Sequence, residues 1–164
     1  MNLPAVGAAL TAPKSTAASP AVAASNLLGG VATLRKRVRT RLDIHEIIER
    51  GIPGGAFNFL VAHVTALDPA DVYKAVGVSL RTAQRKTLTP QKPLSAAQSA
   101  RAWQFAEILA HATAVLGTQE AAEQWLAAPA MGLDQRRPVE LLSTPVGAEL
   151  VTQLLGRIES GVYS

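Results

Sequence analysis

Cysteine is absent from the 164 residues. Its absence excludes a disulfide scaffold, a thiol nucleophile, a cysteine zinc site and an iron–sulfur cluster. It fits a reducing compartment, and a cytoplasmic protein is expected. Histidine is scarce: His45, His63 and His111 stand far apart, none with a partner at metal-ligand spacing. Aromatics are only 4% against 48% hydrophobic residues, so any core is built from Ala, Val and Leu. No run approaches the roughly 18 apolar residues of a membrane span, and no membrane partner is expected. The chain also lacks a Gly-rich phosphate loop and any credible Ser/His/Asp arrangement, which argues against an enzyme and against a cofactor. Sustained strand alternation is missing too, so the expected class is all-α.

The charge present is unevenly spread. Residues 1–100 hold twelve Lys/Arg against five acids, a net +7, whereas residues 101–164 hold four against seven, a net −3. A basic front and an acidic back point to two modules with different partners, the basic one a candidate for a polyanion such as DNA; an uneven solvated surface is the plainer reading. Residues 1–30 are Ala-rich and broken by Pro4, Pro13 and Pro20. With little apolar bulk they read as a flexible arm. A signal peptide is disfavoured, because the basic cluster Arg35–Arg41 follows the Ala-rich stretch instead of preceding it.

From residue 31 the pattern is helical. Val31–Arg50 carries one loose stripe, stopped by Gly51, Pro53, Gly54 and Gly55. Phe57, Leu60, Val61 and Val64 share a helix face. Asp68 followed by Pro69 predicts an N-cap with proline at the first helical position, and Gly77 predicts the stop. Ser79 then caps a second short helix through about Lys86. Two short helices joined by a Gly-containing turn describe a helix-turn-helix. Ser79, Arg81, Thr82, Gln84, Arg85 and Lys86 are of the types that reach phosphates and base edges, and these six are the candidate DNA-binding residues. Ser95 predicts the start of a long central helix ending near Gly117. Thr118 starts another, Pro138 a short one, and Thr144-Pro145 the last. That last helix carries a stripe of Val146, Leu150, Val151, Leu154, Leu155 and Ile158, with Gly161 placed for a left-handed cap. Gly156 inside it is open to explanation by a close backbone approach, among other causes.

Taken in order, these motifs resemble one family. Gly77-Val78-Ser79-Leu80-Arg81-Thr82 is similar to the "GIS-x-RT" of the Xre-like antitoxin helix-turn-helix. Leu94-Ser95 through Arg101 resembles its "LSPEESDR", and Ala121–Leu126 with Pro129 its "A-x-x-WL-x-x-P". Arg137–Leu142 resembles "RPLDLL", and Thr144–Gly147 with Leu154–Ser164 the closing "T-x-x-G…LLGRIE-x-GVYS". The likeness covers roughly residues 52–164 and is to Xre/MbcA/ParS-type antitoxins of RES–Xre systems.

The resemblance implies an all-helical, non-catalytic protein with an N-terminal helix-turn-helix and a C-terminal toxin-binding domain; after the arm over 1–30 read from composition, these are expected over 31–102 and 103–164. It implies an antitoxin that occludes the NAD pocket of a cognate RES-domain toxin and represses its own operon at operator DNA as a homodimer. The toxin-binding residues it implies are Arg157, Glu159, Gly161, Val162, Tyr163 and Ser164. A transcriptional regulator whose C-terminal domain serves dimerisation or another partner is the alternative. Departures from the pattern are Tyr73 for a small residue, Ala83 for Leu, Asp134-Gln135 for paired glycines, and Leu116 for Phe.

Overall fold

The computed structural model describes residues 18–79, 81–82 and 88–162. Among them the chain forms α1 (Pro20–Leu27), α2 (Gly30–Leu34), α3 (Arg41–Arg50), α4 (Gly54–His63), α5 (Pro69–Val76), α6 (Ala96–Leu116), α7 (Gln119–Ala127), a 3-10 turn (Met131–Leu133), α8 (Pro138–Leu141) and α9 (Pro145–Glu159). No strand occurs among the described residues; two isolated bridges join Pro53 to Pro93 and Ala130 to Arg136. The all-α expectation holds.

Local chemistry sets most helix starts. A helix leaves its first N–H groups without partners, and a short polar side chain at the N-cap accepts one of them. Asp68 accepts from Ala70, Thr118 from Ala121 and Thr144 from Gly147. Ser95 and Gln98 exchange bonds in a capping box. Thr40 and Asp43 form a second box at α3, where the backbone amides of Arg39 and Thr40, helped by Lys36, lower the Asp43 carboxyl to about 2.

α6 is the axis of the molecule. It packs against α1, α3, α5, α7 and α9. Eight of its residues are buried, including Trp103, Phe105, Ile108 and Leu109. Each large apolar side chain of this set contributes about 1.5–3 kcal/mol by leaving water. Buried Ser99 accepts the Ile52 N–H at 2.8 Å, which pins the α3–α4 corner to the axis.

Four expectations change. The flexible arm over 1–30 is replaced, over its described part, by α1 packed on α6, with Ala24 and Leu28 fully buried. Pro20 at the first helical turn starts this helix rather than breaking it. The single helix over 31–50 is two, because Arg35 turns left-handed (φ 54°) and Thr40 restarts the chain. The stripe on α9 is half right: Val151, Leu154 and Leu155 are buried, but Val146 and Leu150 face solvent, and the small Gly147 and Ala148 are buried instead. The expected domain edge at 102/103 falls inside α6, which continues through it unbroken.

Candidate functional site

The turn between α5 and the next helical turn is built on Gly77 at φ 80°, a left-handed backbone that glycine adopts without strain. The guanidinium of Arg101 occupies the space a Cβ on Gly77 would need. Gln98 donates from Nε2 to the Gly77 carbonyl at 3.2 Å. Both reach over from α6, so the central axis holds the turn.

Ser79 then opens a helical turn. The Thr82 N–H donates to the Ser79 carbonyl at 2.9 Å, and the two hydroxyls lie 2.9 Å apart. Ser79 and Arg81 are exposed and Thr82 half-buried. These three stand together as expected, whereas Gln84, Arg85 and Lys86 lie outside the described residues. Beyond them the chain is tied down again. Asn58 grips Leu88 at both its carbonyl and its N–H (2.7 and 3.0 Å), and Gly54 donates to the Lys92 carbonyl at 2.9 Å.

Tyr73 is buried against Phe57, ring centroids 5.4 Å apart and edge-on at 85°. Burial pushes its hydroxyl above the ordinary tyrosine range. The large residue at this position is thus absorbed by an aromatic pair between α4 and α5. Its suggested counterpart, Ala83, lies outside the described residues.

At the other end of the molecule, α9 closes with a Schellman motif. Gly161 sits at φ 69°, its N–H donates to the Ile158 carbonyl at 3.1 Å, and the Val162 N–H donates to the Arg157 carbonyl at 3.0 Å. These bonds fix the chain direction through Val162. Arg157, Glu159, Gly161 and Val162 are all exposed, and Glu159 lies 3.2 Å from His111 Nε2 on α6. Tyr163 and Ser164 lie outside the described residues.

Among the described residues, polar contacts made by Arg137, Glu123 and Gln119 join the front and back halves, and sequence reasoning missed them. Arg137 makes a bidentate bond to Asp71 on α5 (2.9 and 3.3 Å) while also holding Glu140. Asp71, then Glu140, raise the Arg137 guanidinium above its ordinary value, and Arg137 in turn lowers Glu140. Buried Glu123 of α7 accepts the Thr65 and Ala66 N–H groups at 2.8 and 2.5 Å, with Gln119 on its other oxygen at 2.7 Å. Before Arg137 the backbone passes through Asp134 and Gln135 at φ 53° and 61°. That left-handed pair explains why glycines are the expected residues there.

Fold and surfaces together define a class: a helix-turn-helix protein whose basic front is joined through one shared helix to an acidic helical back. Comparison with known proteins makes this specific. Residues 43–107 match the antitoxin Xre-like helix-turn-helix domain, and residues 111–161 the antitoxin Xre/MbcA/ParS C-terminal toxin-binding domain. Antitoxin Xre of Photorhabdus laumondii is 28% identical over 122 residues, 74% of this chain and 81% of that one. Antitoxin Xre of Yersinia enterocolitica is 33% identical over 104 residues, 62% of this chain and 70% of that one. The chain belongs to the Xre antitoxin family, whose members are DNA-binding antitoxins and not enzymes.

Proposed function

We propose that this type II antitoxin neutralises a RES-domain, NAD-consuming toxin by placing the end of α9 and the residues after it in the toxin's active-site entrance, and that as a cytoplasmic homodimer it represses its own operon through Ser79, Arg81, Thr82, Gln84, Arg85 and Lys86. The observation that carries the first half is the Schellman closure of α9. It holds Arg157, Glu159, Gly161 and Val162 on one solvent-facing end. A nucleotide pocket presents cations and hydrogen-bond donors. Glu159 supplies an anion for them, and Tyr163 an aromatic ring of a size to enter a base or ribose subsite. Arg and Tyr are also enriched where interfaces concentrate their binding energy.

Among the described residues, deleting 159–164 removes none of those that fill the core, so the helical fold and DNA retention should survive. Protection should not. Cells co-expressing the toxin encoded beside this gene with the shortened antitoxin should stop growing. Continued growth at equal antitoxin abundance would move neutralisation away from the tail.

A further inference from the structure

The basic run Arg35–Arg41 is not uniform once folded. Lys36 is taken up internally: it bonds Glu46 and lies 3.2 Å from Asp43. Arg35 is different. It sits at the left-handed end of α2, exposed, and makes no ion pair among the described residues. It lines a concavity of about 250 Å³ together with Arg50 of α3 and with Pro90, Gln91 and Pro93 of the loop that follows the helix-turn-helix. Pro93 is shared with a second concavity of about 190 Å³, lined by Thr82 and Lys92 among others. The two hollows therefore adjoin at Pro93, one reaching Thr82 of the candidate DNA-binding residues and the other Arg35 and Arg50. Arg50 and Lys92 are likewise exposed and without an ion pair among the described residues. No acid lines either hollow.

Three exposed cations without an opposing acid repel one another and gain only from an external anion. Their adjacency to the helix-turn-helix decides which anion. The loop at 88–94 borders Thr82 in the smaller hollow, and phosphates are the groups that surface cations of such domains take. We infer that Arg35, Arg50 and Lys92 form a phosphate track, a second DNA contact outside the helix-turn-helix, which rests on the reading of this chain as a DNA-binding autorepressor. Arg35 lies outside the region matched by either domain, whereas Arg50 and Lys92 lie within the matched residues 43–107, so only the Arg35 end of the track reaches beyond the shared domain.

The track adds affinity without sequence information. Each neutralised phosphate releases counterions and steepens the dependence of log K on log salt by about 0.9. The test is fluorescence anisotropy of the full chain on two labelled duplexes, one from the DNA upstream of its own gene and one a shuffled duplex of equal length and composition, over a salt series. Arg35→Gln, Arg50→Gln and Lys92→Gln combined should flatten the slope by about 2–3 and weaken both duplexes by the same factor. Arg35→Lys with Arg50→Lys should restore most of the slope, which a packing role for the guanidiniums would not do. Lys36→Gln should leave it unchanged. An unaltered slope in the triple variant, with its helical content and melting point retained, overturns the track. So does a loss confined to the upstream duplex, or a loss of toxin protection in place of DNA retention. Failure of the unaltered chain to bind either duplex would be separate, since it removes the DNA-binding reading itself.

Discussion

Removing the Glu123 carboxylate strips the Thr65 and Ala66 amides of their acceptor, in a place where Glu123 is 1% exposed. A buried polar group left without a partner costs about 1–3 kcal/mol. Glu123→Ala should lower unfolding stability by that order, and Glu123→Gln by less, since an amide oxygen still accepts. Urea titration at fixed pH measures both; equal midpoints for Glu123→Ala and the parent would mean that water replaces the carboxylate. Nothing local in the sequence marks this residue. Its backbone partners are 57 and 58 residues away, and a pairing at that range leaves no periodic trace. The same is true of Arg137 and Asp71, 66 residues apart. Ser79, Arg81 and Thr82, the described members of the candidate DNA-binding set, could be grouped from the sequence because they depend on a turn only a few residues long. Arg101 and Gln98, which hold that turn from α6, were not.

α9 shows which features of an element can be read in advance. Its start and its end follow from neighbouring residues, Thr144 and Pro145 at one end and Gly161 at the other, and both are where the pattern puts them. Its rotation follows from a contact outside the element. Gly147 is pressed against the Leu141 carbonyl of α8, with no room for a Cβ. That contact turns Val146 and Leu150 outward, against the expectation from their spacing. Gly156 has nothing within 4 Å of a would-be Cβ, so no close approach explains it. The two glycines should therefore respond in opposite directions. Gly156→Ala should raise stability by up to about 1 kcal/mol through helix propensity. Gly147→Ala should lower it by about 1–3 kcal/mol through overpacking against backbone. Thermal unfolding followed by circular dichroism compares them directly, and a rise in both would refute the assigned role of the α8–α9 contact.

At the scale of the molecule, the charge division was legible in composition, but the packing of the N-terminal segment was not. α1 is poor in large side chains, and its sequence alone offers no reason for it to order. Its ordering comes from the surface that α6 presents to Ala24 and Leu28. A chain beginning at residue 31 should melt well below the full chain, and Leu28→Ala alone should cost about 2–5 kcal/mol by leaving a cavity on α6. Differential scanning calorimetry tests this; an unchanged melting temperature on truncation would return the segment to the status of a flexible arm.

The helix that crosses from one half to the other also constrains ancestry. α6 serves the turn of the DNA-reading half near its start, through Gln98 and Arg101, and carries α7, α9 and His111 of the other half further along. An α-helix advances 1.5 Å and turns about 100° with each residue. A single inserted or deleted residue in its middle would therefore swing one half about 100° around the other and misplace Arg137 from Asp71 and Glu123 from the Thr65–Ala66 turn. Recombination that gave this DNA-reading half a new toxin-binding half would succeed only where the crossover preserved the count of residues along α6. Variation in length should accordingly accumulate in the connections between helices, while the span from Ser95 to Gly117 passes between lineages as one indivisible unit.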